Sequence, residues 1–185
     1  MSEMMIQNER VPEPIEALRG VRAYSVNRHP APVELDLDAN ERTVLPDELL
    51  GTFRAIEADT VRKYPEIREL ESAIAKKFGI ATDRVLATAG GDEAIDRICR
   101  AYLGPGREIV LAVPTFEMIE RYASMVGAGI KAVDWPSGAF PTSEVCAAMT
   151  EDTGVVAIVS PNNPTGSVAT VEDFLRVAET AASIG

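Results

Sequence analysis

A chain of 185 residues is long enough to enclose a sizeable core within one domain. Its composition, 46% apolar and 25% charged, is that of an ordinary globular protein, and its net charge of −11 argues against nonspecific nucleic-acid binding, which needs a basic face for the phosphates. No apolar run approaches the ~20 residues that cross a bilayer, and the polar start of the chain lacks a signal peptide's apolar core, so the expected location is cytoplasmic, with no membrane partner.

Residues 1–33, rich in Pro, Glu and Arg, read as an arm with one short helix near 13–18. The single His29 lies in this arm without a cysteine or acidic cluster beside it, which gives no case for a metal. Residues 35–41 alternate in polarity and suggest a short strand ending near Asn40. Pro46 opens a helix to about Ala58, with Leu49, Leu50, Phe53 and Ile56 as its apolar stripe. Tyr64 precedes Pro65, so its backbone is held extended. Residues 67–78 form an amphipathic helix with Leu70, Ala73, Ile74 and Phe78 inward and Glu69, Lys76 and Lys77 outward, stopped by Gly79.

A strand over 85–88 is expected to run into Ala89-Gly90-Gly91-Asp92-Glu93 and then a helix to about Tyr102. Free N–H groups at such a helix start, with the helix dipole, favour a phosphate, and the glycines let it approach the main chain. Asp92 is a candidate cap. The plainer alternative is a turn, since the spacing is neither G-x-G-x-x-G nor a Gly-Lys-Ser/Thr cradle.

Strands follow at 108–113 and 130–133, with a helix from Phe116 to about Val126 between them. Residues 142–149 form a short helix with Glu144 in its first turn. The run 155–159 is short, β-branched and unbroken, which suits a strand buried on both faces of a parallel sheet. It leads into Ser160-Pro161-Asn162-Asn163-Pro164-Thr165-Gly166, where two prolines and a glycine stop it and leave two asparagines at its carboxyl end, the end at which open α/β sheets bind ligands. Thr170 caps a last helix to Ile184. Cys99 and Cys146 fall in helical segments without C-x-x-C spacing and read as buried, reduced thiols. The fold class is therefore α/β, a mostly parallel sheet sandwiched by helices, with an N-terminal arm and the loop that follows it over 1–45 and the main domain over 46–185.

Several of these strings, in order, resemble the fold type I pyridoxal-phosphate aminotransferases, the histidinol-phosphate aminotransferase group in particular. They are Leu37-Asp38-Ala39-Asn40-Glu41, Arg62-Lys63-Tyr64-Pro65, Gly91-Asp92-Glu93-Ala94-Ile95, Pro114-Thr115-Phe116 and the segment 160–166. The resemblance implies that Gly91, Asp92 and Glu93 cradle the phosphate of pyridoxal 5'-phosphate, that Phe116 stacks on its ring, and that Asn163 donates to its phenolic oxygen. It implies that Tyr64 reaches the phosphate of the other subunit in a homodimer with shared active sites. Asn40 and Tyr24 would line the pocket for an amino donor and a 2-oxo acid. Two departures bear on substrate identity: Ser25-Val26 stands where the family has Pro-Gly, and Arg42-Thr43-Val44-Leu45 where it has N-P-x-G.

Members of this family are about twice as long. The Schiff-base lysine, the aspartate that pairs with the pyridinium nitrogen and the arginine that grips the substrate carboxylate are expected after Gly185, so no catalytic residue is assigned within the chain and the sequence reads as truncated. Its lysines, Lys63, Lys76, Lys77 and Lys131, all precede Asn163 and none stands in for that amine. Because the family's sheet interleaves strands from both halves, the strands present are expected to be separated by absent ones. Two readings remain open: a transaminase of the histidinol-phosphate type, and a non-catalytic cradle for the cofactor that needs a partner chain.

Overall fold

The computed structural model describes residues 15–19, 21, 31 and 46–184. Their contacts fall into two units, one drawn from 1–23 and 88–185 and the other from 24–87. Among the described residues no helix is long and apolar enough to cross a membrane.

The larger unit is built on three parallel strands, β1 (Glu108–Val113), β2 (Gly129–Asp134) and β3 (Thr153–Ala157), in the order β2-β1-β3. They pair directly, β1 with β2 from Glu108↔Gly129 to Val113↔Asp134 and β1 with β3 from Glu108↔Thr153 to Leu111↔Ala157. The expectation that absent strands would separate them fails for these three: β1 lies between the other two, the β1–β2 connection reaching the adjacent position and the β2–β3 connection crossing over β1.

Strand alternation sorts β1 onto two cores. Val110 and Ala112 face one cluster with Trp135, Phe140, Val145, Met149 and Val177. Ile109 and Leu111 face the opposite cluster with Cys99, Leu103, Ile119 and Ala123. Helices α4 (Gly90–Tyr102) and α5 (Glu117–Met125) supply the second face, and α6 (Thr142–Ala148) and α7 (Val171–Ile184) the first. This is the sandwich expected of the sequence. Only β1 is buried through its middle, however; β3 is half-buried throughout, so the expectation of burial on both faces belongs to the central strand.

The register between β1 and β3 slips by one residue, from Glu108↔Thr153 to Ile109↔Val155, leaving Gly154 as the extra residue of a bulge. A Cβ on Gly154 would collide with the carbonyl oxygen of Tyr102, the last residue of α4. The glycine thus lets the end of α4 lie against β3. Among the described residues of the arm, the 3₁₀ turn Glu16–Leu18 touches this unit, its Ala17 lying beside Gly127 at the end of α5.

The smaller unit holds α1 (Asp47–Arg54), α2 (Ala58–Arg62) and α3 (Ile67–Phe78). The helix expected to run to Ala58 ends at Arg54, and a second one begins at Ala58. Helix α3 has the expected bounds and Gly79 closes it in the left-handed conformation at φ 67°. Its expected inward face is mostly uncovered: Leu70 and Phe78 are 55% and 68% exposed, Ala73 is exposed, Ile74 is half-buried, and Glu71 and Ala75 are the buried positions. Periodicity identifies an apolar face but not what covers it, and the described residues of this unit include no sheet for that face to pack on.

No strand forms over 85–88, contrary to expectation. A strand exists by pairing, and here Ala87 donates its N–H to the buried carboxylate of Glu71 at 3.2 Å, while Leu86 is exposed.

Candidate active site

At the carboxyl end of β1 the chain turns through Pro114 and Thr115 into α5, whose N-cap is Phe116. At the carboxyl end of β3 it passes through residues 158–170 to α7. Gly166 closes the turn there at φ 72°, its N–H bonded to the Asn162 carbonyl at 2.7 Å. Ser160 ties the returning chain, accepting from the Ala169 N–H at 3.0 Å and donating to the Ala169 carbonyl at 3.2 Å.

Asn162 joins the two ends. It is 3% exposed. Its Nδ2 donates to the Pro114 carbonyl at 2.8 Å and to Thr165 Oγ1 at 2.9 Å, and its Oδ1 accepts from Thr115 Oγ1 at 2.8 Å. Asn163, one residue on, is exposed, and its side-chain amide has no partner among the described residues. The motif's two asparagines thus differ in state, one consumed internally and one free to bind.

The start of α4 lies in the same unit. The Gly91 and Asp92 N–H groups have no acceptor among the described residues, as first-turn amides lack partners within a helix. Gly91 is exposed and a Cβ there would meet nothing within 4 Å, so its main chain is open to a ligand. Asp92 does not cap the helix. The N-cap is Ala89, and the Glu93 carboxylate turns back to accept from its N–H while also holding Arg97, whose Nη2 lies 2.6 Å from Oε1. The Ala89 N–H first, and the Arg97 guanidinium second, hold the Glu93 carboxyl below the ordinary range. Glutamate reaches back one turn where the shorter aspartate beside it does not.

Phe116 is half-buried and packs against the core cluster of Cys99, Ile109, Leu111 and Ile119. Ile95 of α4, Val113 at the tip of β1 and Val159 just before Ser160 pack on that same cluster. It brings together the three segments carrying Gly91–Glu93, Phe116 and Asn163. Tyr64 belongs to the other unit, is 98% exposed and follows Lys63, whose backbone is extended. Tyr24 and Asn40 lie outside the described residues.

These groups fit a flat, phosphorylated ring: open amides and a helix N-terminus for the phosphate, a partly covered aromatic face, and a free carboxamide for a ring oxygen. Sequence reasoning missed Asn162 and Thr115 as the joint between the loops. A signal was available, because two adjacent asparagines at a strand end leave one to serve the fold.

The family model for class I and II aminotransferases matches residues 33–184. The chain is 35% identical over 148 residues to histidinol-phosphate aminotransferase of Sphingopyxis alaskensis, covering 77% of this chain and 40% of that protein. To histidinol-phosphate aminotransferase 1 of Mesorhizobium japonicum it is 29% identical over 182 residues, covering 96% and 49%. Among solved structures, the aspartate aminotransferase of Thermus thermophilus with maleate superposes with a TM-score of 0.68 at 27% identity, covering 75% of this chain and 39% of that one. The histidinol-phosphate aminotransferase of Sinorhizobium meliloti in complex with pyridoxal-5'-phosphate shares the fold, with a TM-score of 0.65 at 21% identity over 74% of this chain and 37% of that one. The chain thus spans less than half the length of each of these proteins.

Proposed function

The chain belongs to the class I and II aminotransferases, a pyridoxal-phosphate-dependent family, and from that premise we propose that it cradles pyridoxal phosphate for a transamination of the histidinol-phosphate type, with a 2-oxo acid as acceptor. The observation that carries this reading is the shared cluster. Donors without partners among the described residues, the Gly91 and Asp92 amides and the Asn163 side chain, stand at segment ends that pack on it through Ile95, Phe116 and Val159. When bound, the cofactor supplies an aldehyde that takes up the amino group and a ring that withdraws electrons from the bond being broken.

The residues divide the remaining tasks. The amides at the start of α4 and its dipole neutralise phosphate charge. Glu93 holds the turn before the helix rather than the phosphate, since its oxygens are engaged by Ala89 and Arg97. Phe116 offers the part of its ring that the core leaves uncovered, and such a stack contributes about 1 kcal/mol beyond burial. Asn163 donates to the ring's phenolic oxygen and orients it. Tyr64, on a backbone fixed by Pro65, serves the phosphate of a second subunit in a homodimer, and Asn40 and Tyr24 face the substrate. Cytoplasmic location belongs to the same reading.

Moving the α-proton requires an amine. Lys131 lies on β2 with its Nζ 2.8 Å from the Glu108 carboxylate, Lys63 pairs with Asp59, and Lys76 and Lys77 lie on α3. None is carried on the chain segments that form the cradle, the start of α4, residues 114–116 and residues 158–166. We therefore assign the amine to polypeptide other than these residues, and binding without turnover to the 185 residues alone.

Titration with pyridoxal phosphate, followed by its absorption band and by borohydride reduction, tests this. The expected result is saturable binding of one cofactor per chain that dialysis reverses and borohydride does not fix. No saturable binding contradicts the cradle; stoichiometric fixation at one lysine contradicts the assignment of the amine.

A further inference from the structure

We propose that Asn162 is the positioning residue of this site: it sets where Asn163 presents its carboxamide relative to Phe116. The proposal rests on the reading that the site takes pyridoxal phosphate.

A carboxamide has two N–H donors and one carbonyl acceptor. In Asn162 both hydrogens are used, toward the Pro114 carbonyl and Thr165 Oγ1, and the carbonyl oxygen is used by Thr115 Oγ1. The main chain of the residue is also engaged, its N–H donating to the Ser167 carbonyl at 2.8 Å and its carbonyl accepting from Gly166. All its N–H donors are used, and at 3% exposure it presents almost no surface to a ligand. It acts on a ligand only through its neighbours.

Those neighbours are what the site needs. Pro114 and Thr115 immediately precede Phe116, and Asn163 immediately follows Asn162. Two bonds from one planar group to consecutive residues of the β1 turn fix both the distance between the loops and their rotation. A third bond, to Thr165, fixes the loop on the far side of Asn163. The Asn163 carboxamide is thereby held between two clamped points while its own side chain has no partner among the described residues.

A clamp of this kind has a signature that general loop stability lacks. It must matter most for a ligand with an oxygen at the position Asn163 addresses. The test uses the 185-residue chain with two probes, pyridoxal phosphate and its 3-deoxy analogue, which keeps the ring and phosphate but lacks the phenolic oxygen. Equilibrium dialysis gives each affinity, and thermal unfolding reports the fold. Wild type is expected to prefer pyridoxal phosphate, and Asn163→Ala to erase the preference. Asn162→Ala and the nearly isosteric Thr115→Val, neither touching the ligand, are expected to reduce that preference about five-fold or more, as for one lost hydrogen bond. Their affinity for the deoxy analogue should stay within about two-fold, a change below the usual net worth of one bond.

Equal weakening of both probes in Asn162→Ala and Thr115→Val overturns the proposal and leaves Asn162 a purely structural residue. An unchanged preference in both variants, with Asn163→Ala losing it, overturns the proposal alone. A wild type that binds neither probe, or binds both alike, overturns the functional reading and this proposal with it. Should Asn162→Ala fail to fold, Thr115→Val decides.

Discussion

The hydroxyl of Thr115 donates to Oδ1 of Asn162 across 2.8 Å, a bond between residues 47 apart in sequence that joins the turns at the carboxyl ends of β1 and β3. Phe116 and Asn163, the residues proposed for the ring of the cofactor, are the next residues along from its two partners.

The free state of Asn163 makes it separable from stability. Asn163→Ala removes an exposed side chain with no partner among the described residues. Its unfolding free energy should stay within about 0.5 kcal/mol of wild type, as for other surface substitutions. Its affinity for pyridoxal phosphate should fall about five- to ten-fold, the worth of one hydrogen bond to a ring oxygen. Dialysis with matched thermal scans checks both.

Two glycines should respond in opposite ways. Gly154→Ala places a methyl against the Tyr102 carbonyl and should cost about 1–3 kcal/mol by overpacking. Gly91→Ala meets nothing and replaces glycine in a helix, so stability should hold or rise by up to about 1 kcal/mol. Cofactor binding should nonetheless weaken, because the methyl stands at the main chain assigned to the phosphate. Urea unfolding followed by the fluorescence of the single Trp135, buried in the larger unit, reads the stabilities.

Glu93 sets an acid limb. Its carboxyl is held below the ordinary value of 4.5 by the Ala89 N–H and then by Arg97. In that window the unfolded chain binds more protons, so stability is fully present above about pH 4.5 and is lost as pH falls through the lowered folded value. Glu93→Gln should flatten this limb relative to wild type while leaving the slope near neutrality unchanged. Unfolding midpoints measured at intervals from pH 6 downward, about one to two units past the ordinary value, check it.

Burial separates two leucines that a pattern of apolar residues treats alike. Leu111→Ala, at 1% exposure in the central strand, should cost about 2–5 kcal/mol. Leu70→Ala, at 55% exposure on α3, should cost about 0.5 kcal/mol or less. Equal losses would mean that the α3 face is covered in solution.

What was legible in the sequence was local. The bounds of β1, α3 and α7 follow from periodicity, from Gly79 and from Thr170, which forms a reciprocal cap with Asp173 as its position implied. What was not legible depends on partners distant in sequence. Residues 85–88 have the composition of a strand, yet Glu71 takes the Ala87 N–H. Leu70 and Phe78 have the spacing of a buried stripe, yet both are exposed. At the site, the resemblance named Asn163, but the bonds that hold it run through Asn162 to Thr115, a pairing that only the fold brings within reach.

The most direct measurement is a titration of isotopically labelled chain with pyridoxal phosphate, followed by backbone and side-chain amide shifts. The account predicts saturable changes concentrated at the Gly91 and Asp92 amides, at Phe116 and at the Asn163 carboxamide, with the Asn162 carboxamide protected from exchange both before and after binding. Shifts confined to one of these segments, or centred on residues of other parts of the chain, would contradict it.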